Sequence, residues 1–539
     1  MNSRVSLNNF DLAIFIAYML MTMAVGFYAA RREQKTLKDY FLAGRKLPWY
    51  VVGGSLVATV VSTEHFIGSA GASYATGMVV GAFGWNAWLV YSLLIWVFLP
   101  YYMRTGLSTM PEFLERRYSP ALRVLYTLFL TVGYIFSLVG GVLFAGAEAL
   151  ESLFGMNIYT AIVLLGLATG VYTVYGGMTS VAWTDLFQLI LLMFAGVLVV
   201  TLGLWKVGGL FQLVTDNPSK FQLFLPPTHK IFPATGVFTG FLSVGIWYNC
   251  ASQHTVQRCL AARDEWNARM GVVFAGFLHI VMPFIVAVPG IIAFKLFPHL
   301  DRPDHAYPTL VASLVPQGLR GFIMAGLAAA LMSTLSAVMN STSTIITYDI
   351  FAKLRKRPIS EERQVRFGQW VCVAVLAMGI GIACYYGSLK GSFAFLLIQN
   401  VFAYIAPPFA VVFTMGILWR RATAAAAMAT ILSGFPFTYV LERYIFPHVV
   451  LLRPYNNYLH RALLAWIFCM LVMIIVSLLT APPPRERTEG IIWKPAYAPL
   501  PPDLQKRYRG WKDFRIWWAL FVGIILSLYG FFVWFRFHY

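Results

Sequence analysis

The chain is predicted to be an all-α polytopic membrane protein of about fourteen transmembrane helices, on three observations. Its residues are 59% hydrophobic and 12% charged, with a mean hydropathy of +0.68, outside the range of water-soluble domains. Fourteen apolar runs are long enough to cross a hydrocarbon core of about 30 Å. The loops joining them alternate between basic and nearly neutral, as successive spans of one chain require.

The first run, near 10–30, follows only Arg4, carries Asp11 early and ends in Arg31 and Arg32. That is the pattern of a retained anchor, not a cleaved signal peptide. Span two, near 49–73, places Gly53 and Gly54 ahead of Ser62, Thr63, Glu64 and His65 in mid-bilayer, a poor continuous helix. Spans three to six lie near 79–103, 121–150, 157–175 and 181–205. Asp185 falls at the inner end of the sixth, where a carboxylate can be a helix cap or an interfacial anchor. Span seven, near 232–252, ends in a polar crowd of Trp247, Tyr248, Asn249, Ser252, Gln253 and His254. Spans eight to fourteen follow near 266–294, 309–350, 366–386, 395–419, 422–440, 459–480 and 514–536, with a Pro-rich, then basic, loop at 481–513. Trp517, Trp518, Trp534 and Phe535 of the last read as interfacial anchors.

Interrupted spans are the sequence pointer to a transporter binding site. Spans two and seven are both interrupted and lie five apart, so they cross the membrane in opposite senses, as the opening helices of two inverted five-helix repeats do. Either break alone is equally a Gly-kinked structural helix. In span nine, Ser333, Ser336, Asn340, Thr344 and Thr347 recur at steps of three and four and form one polar stripe on an otherwise apolar helix. Such a stripe serves either an ion site or helix packing through small residues.

The net charge of +19 raises the question of nucleic acid, and its distribution answers it. One set of loops holds 29 of the 41 Lys and Arg, and the other set, with both termini, holds 12. The excess is membrane topology, with no nucleic-acid partner, and it puts both termini on the non-cytoplasmic side of a plasma or inner membrane. Cys250, Cys259, Cys372, Cys384 and Cys469 have no zinc or disulfide spacing and read as small core residues. No HExxH, GxSxG or phosphate-cradling loop occurs, and no soluble stretch could house a catalytic domain, so the chain is expected not to be an enzyme.

Further motifs carry a resemblance: Asp39–Arg45 (DYFLAGR), EHFIG after Thr63, PEFLERRY from Pro111, VYGGMTSVAWTDLFQ around Asp185, VQRCLAAR around Arg258, NSTSTIITYDI from Asn340 and APPFAVVF from Ala406. Over roughly 10–420 the chain resembles the sodium:solute symporter family, and within it the sodium/glucose cotransporter branch. The resemblance implies a LeuT-like core of two inverted five-helix repeats, 49–206 and 232–419. These would be preceded by an extra helix and basic cytoplasmic loop in 1–48 and followed by three helices in 420–539. It implies a Na⁺ site of the backbone carbonyls of Ala58, Val61 and Ala330 with the hydroxyls of Ser333 and Thr334. Asp185 would line the exit path of Na⁺ or serve, with Ser336, as an accessory ligand. Ala337 lacks one hydroxyl of that accessory site, which favours one Na⁺ per solute.

The resemblance weakens at the solute pocket, where the branch's polar residues give way to Val60, Gly84 and His279. A pocket of Ser62, His65, Tyr248, Asn249, His279 and Gln399 could still hydrogen-bond a polyol, with Tyr134 and Tyr248 as gates. Each histidine could instead simply bond a neighbouring carbonyl, and Glu64 is expected to face a pocket, a cation or water. The resulting expectation is a Na⁺-driven symporter in the lipid bilayer for a small polar solute such as a sugar or polyol, for which one copy suffices. An organic anion such as a monocarboxylate, proton coupling through Glu64, His65 or Asp185, and a non-transporting solute sensor are the alternatives.

Overall fold

The computed structural model describes residues 7–31, 36–354, 359–388 and 394–538; the side chains of Glu64 and of residues 394–398 lie outside that description, as do Arg4, Arg32, Lys35, Arg355, Lys356 and Arg357 of the charge pattern. Among the described residues every regular element is a helix, apart from an isolated bridge between Leu47 and Ala262.

Among the described residues eleven helices are long and apolar enough to cross a membrane, or twelve when the bent pair Trp49–Val60 and His65–Thr76 is taken as one span. The shortfall against fourteen has two physical sources. Expected spans five and six are two helices that run on from each other as the 50-residue stretch Ile158–Val207, which is why they number as one. At 1.5 Å per residue this would extend about 75 Å, more than twice a hydrocarbon core of about 30 Å. It turns instead at Gly177 (φ 52°, ψ −146°). A Cβ at Gly177 would lie 2.4 Å from the Tyr40 carbonyl oxygen, so both the backbone angle and the close approach require glycine. Expected span seven is cut into Gly240–Ile246, a π turn at Trp247–Ala251 and Gln253–Leu260, with Ser252 extended (φ −74°, ψ 139°). No piece reaches spanning length.

The apolar run 309–350 also differs from expectation. It is two helices, Ala306–Leu314 and Arg320–Ile345, separated at Val315, whose extended backbone (φ −85°, ψ 117°) is what the following Pro316 enforces. The second helix has no lipid-facing side: 94% of the apolar window in Arg320–Leu354 is buried. Ile158–Val207, Asn9–Ala30, Trp49–Val60 and Glu361–Ser388 enclose it. The expected contrast of one polar face against a greasy remainder therefore becomes a helix packed in protein all round.

Four cations of the basic loops, Arg117, Arg123, Arg258 and Arg269, are buried; they lie at the basic face of the molecule but not in solvent. The 481–513 segment is likewise no free loop. Trp493 donates from its indole to the Trp96 carbonyl (2.9 Å), Arg269 donates to the Ala498 carbonyl (2.6 Å), and Tyr508 stacks on Trp266 at 3.9 Å.

Candidate functional site

The break in span two is what builds the site. Helix Trp49–Val60 ends at Val61 (φ −95°, ψ 100°), Ser62 is extended (φ −101°, ψ 177°), and helix Thr63–Thr76 resumes at a bend of 60°. The Ser62 N–H turns away from the Ala58 carbonyl and donates to His65 Nδ1 (3.3 Å), which leaves carbonyls of the preceding turn without their helical partners. Two hydroxyls of helix Arg320–Ile345 meet them. Ser333 Oγ lies 2.7 Å from the Ala58 oxygen and 3.1 Å from that of Ala330, and Thr334 Oγ1 lies 3.1 Å from the Thr59 oxygen and 3.2 Å from that of Ala330. Five oxygens thus converge with two hydroxyl protons among them, all in buried residues. Such a set suits a hard cation, which takes oxygen ligands. Ala58, Ala330, Ser333 and Thr334 come together, Thr59 supplies the carbonyl that Thr334 reaches, and Val61 lines the adjoining cavity. Ser336 bonds the Ser333 carbonyl (3.0 Å), one turn further along.

Asp185 is neither a helix cap nor an interfacial anchor. It is wholly buried within Ile158–Val207, accepting from Ser55 Oγ (2.6 Å) and pairing with Arg258 at 3.4 Å. Arg258 also donates to Ser55 Oγ (3.1 Å) and to the His254 carbonyl. A carboxylate alone at that depth would cost several kcal/mol, so the guanidinium is what makes its burial tolerable. Asp185 Oδ1 has no hydrogen-bond partner among the described residues. In the sequence Arg258 reads as a loop charge, yet a signal for the pairing is there: a buried carboxylate demands a cation, and Arg258 follows the polar end of span seven.

A cavity of about 130 Å³ adjoins the break, lined by Val60, Val61, His65, Tyr248, Asn249, His279 and Gln399 among others. His65 is oriented by the Ser62 N–H, and His279 Nδ1 by the Ala275 carbonyl (3.0 Å). Asn249 donates from its amide to the Gly245 carbonyl (3.1 Å), leaving its oxygen for other partners. Much of the remaining wall is apolar: Val80, Phe83, Val90, Phe241, Met282 and Phe402. One expected pocket residue, Ser62, and one expected gate, Tyr134, do not line the cavity. Ser62 braces His65 from behind, its Oγ 3.3 Å from Nδ1. The Tyr134 hydroxyl lies 3.1 Å from His254 Nδ1, and the His254 ring is flanked edge-on by Tyr134 and Tyr248. Tyr91, unremarked in the sequence, lines the wall edge-on to the His279 ring at 5.3 Å.

Between the cavity and the basic face lies a set of polar contacts. Gln257 donates to the Phe41 carbonyl (2.7 Å) and to Thr344 Oγ1 (2.9 Å), and Ser341 donates to Gln257 Oε1 (2.9 Å). Arg123 donates from Nε to the buried Asp349 carboxylate (2.7 Å). The lower part of the hydroxyl stripe therefore serves these contacts.

Comparison with known proteins bears on this arrangement. The description "Sodium:solute symporter family" matches residues 40–434. A sodium/myo-inositol cotransporter of Homo sapiens is 33% identical over 541 residues, covering 90% of this chain and 75% of that protein. A sodium/glucose cotransporter of Vibrio parahaemolyticus is 31% identical over 502 residues, covering 87% and 90%. Among solved structures, a Na⁺-coupled sialic acid symporter in a substrate-bound outward-open state superposes with a TM-score of 0.79 at 23% identity, covering 88% of this chain and 98% of that one.

Proposed function

The chain belongs to the sodium:solute symporter family, has its LeuT-like helical fold and is a Na⁺-coupled membrane carrier, not an enzyme; from that premise we propose that it moves a small neutral polyhydroxylated solute, a sugar or polyol, together with one Na⁺. One observation carries the reading: the same break in span two frees the Ala58 and Thr59 carbonyls toward Ser333 and Thr334 and places Val60, Val61 and His65 in the wall of the cavity. Ion and solute would then act on one backbone segment, which is what coupling requires. Na⁺ held by Ala58, Thr59, Ala330, Ser333 and Thr334 would tie the broken span to helix Arg320–Ile345 and complete the pocket of His65, Tyr248, Asn249, His279 and Gln399. Opening toward the basic face would part these two elements, releasing Na⁺ past Asp185 and the solute past Tyr248.

Among the described residues no Lys or Arg lines the cavity, which supports a neutral solute over an organic anion. The two repeats would be 49–206 and 232–419, the basic face cytoplasmic and both termini on the opposite side, with a single copy sufficient. Ala337, lacking an oxygen beside Ser336, supports one Na⁺ per cycle. Uptake of labelled myo-inositol and glucose into proteoliposomes with an imposed Na⁺ gradient tests the reading. Accumulation that vanishes when Na⁺ is replaced by choline is expected; uptake indifferent to Na⁺ sinks the coupling, and binding without accumulation makes the protein a sensor.

A further inference from the structure

A second cavity lies far from the solute pocket, at the level where the first two spans leave the hydrocarbon on the basic face. It is a crevice of about 730 Å³ whose wall includes Tyr28, Arg31, Asp39, Lys46, Thr179 and Trp183. Along helix Asn9–Ala30 the wall runs from Ala24 and Val25 through Tyr28 and Ala29 to Arg31 at the helix end, with Trp183 and Lys46 completing it. Arg31 immediately follows the end of helix Asn9–Ala30, and Lys46 comes three residues before helix Trp49–Val60. Both are exposed, and neither joins an ion pair among the described residues; Arg31 lies over the Tyr28 ring at 3.9 Å. Among the described residues the carboxylate in the wall is Asp39, engaged by the Thr36 hydroxyl (2.6 Å). Tyr28 is 65% exposed and the apolar side of the same helix continues outward through Leu20 and Met21, a surface that acyl chains would cover.

We infer that this crevice is a binding site for the headgroup of an anionic phospholipid in the leaflet at the basic face, its phosphodiester held by Arg31 and Lys46. Three features point to a lipid and not to a soluble anion. The cations sit at headgroup depth, where basic pockets between spans hold anionic lipid. Tyr28 and Trp183 supply the amphipathic rings that favour that layer. The apolar floor opens onto lipid-facing helix surface, so phosphate and acyl chains can be held by one continuous groove.

The site touches the transport cycle through the segment 36–48. That segment takes part in the polar contacts toward the basic face, since the Phe41 carbonyl accepts from Gln257 (2.7 Å) and the Leu47 N–H donates to the Ala261 carbonyl (3.1 Å). A lipid gripping Lys46 would hold this segment against the first span and favour the state closed on that side.

The test is native mass spectrometry of the purified full-length protein with matched phosphatidylglycerol, phosphatidylethanolamine and phosphatidylcholine. The wild type is expected to retain phosphatidylglycerol at least about fivefold over phosphatidylcholine. Arg31→Gln with Lys46→Gln should bring that ratio to about one, while Arg366→Gln, an exposed cation elsewhere on the same face, leaves it unchanged. The single Lys46→Gln variant, at an exposed position, gives an intermediate ratio and guards against misfolding of the double variant. Retention of phosphatidylglycerol by the double variant, an equal loss in Arg366→Gln, or equal retention of phosphatidylethanolamine by the wild type would overturn the assignment. Because the readout is lipid retention, it does not depend on the identity of the transported solute.

Discussion

Ser333 and Ala58, 275 positions apart in the chain, meet at 2.7 Å, hydroxyl to carbonyl. The contact exists only because the backbone departs from helix at Val61 and Ser62, and it joins two elements whose separation would open the path toward the basic face.

Ser333→Ala removes an oxygen from a cation's prospective shell. A hydrogen bond or ligand contact to a charged partner contributes about 1.5–3 kcal/mol, so the Na⁺ concentration for half-maximal uptake should rise roughly 10- to 100-fold. Thr334→Ala should act in the same direction. A Na⁺ titration of thermal stability in the purified variants checks this without reference to solute, and an unchanged midpoint would remove Ser333 from the ion site.

Asp185→Asn and Arg258→Gln should each destabilise the protein by about 3–5 kcal/mol, because each leaves its partner buried and unpaired. The double variant should unfold less readily than either single one. Denaturant unfolding in detergent, followed by tryptophan fluorescence, gives the comparison; additive losses would mean the two residues act independently.

Gly177→Ala places a side chain at a positive φ and against the Tyr40 carbonyl. Forced backbone of this kind costs about 1–3 kcal/mol, and here the segment 36–42 must also shift. A lowered unfolding midpoint together with weakened Na⁺-driven uptake is expected, whereas Gly381→Ala, with open space around it, should change neither.

His279→Phe keeps the ring against Tyr91 and deletes its nitrogen atoms. The half-saturating solute concentration should rise about tenfold or more, with the Na⁺ midpoint of thermal stability unmoved. A shift in Na⁺ affinity of the same size would show that the substitution disturbs the break in span two instead of the pocket.

Much of this architecture was readable from residue order. Apolar runs gave the span positions, and Gly53, Gly54 and the Ser62–His65 stretch marked the first break, because glycine and short polar side chains are poor helix formers in hydrocarbon. The hydroxyl spacing on 333–347 marked a polar stripe that read as an ion site or as helix packing, and only the family resemblance set it against the break. What escaped was set by contacts across the chain. That Thr334 meets the carbonyl of Thr59 depends on how the unwound turn rotates, which no local pattern encodes. Arg258 read as a loop cation because it lies close to the basic segment around Arg263 and Arg269, and only the fold brings it to Asp185. Tyr134 is expected as a gate, while its partner, His254, sits on the broken span seven.

Helix Arg320–Ile345 is enclosed on every side, yet Glu361–Ser388, part of that enclosure, is synthesised after it. During assembly the helix must therefore reside next to lipid before its wall is complete. Thr342 and Thr344 donate to the carbonyls of Val338 and Asn340, both at 2.7 Å, and Ser336 to that of Ser333 at 3.0 Å. These bonds close within the helix and need no neighbour, so its hydroxyls are satisfied while it waits. Ser343, by contrast, donates to the Gly368 carbonyl at 2.5 Å and can do so only once the later span has arrived. The order of synthesis is thus written into which hydroxyls of this helix look after themselves and which depend on a span still to come.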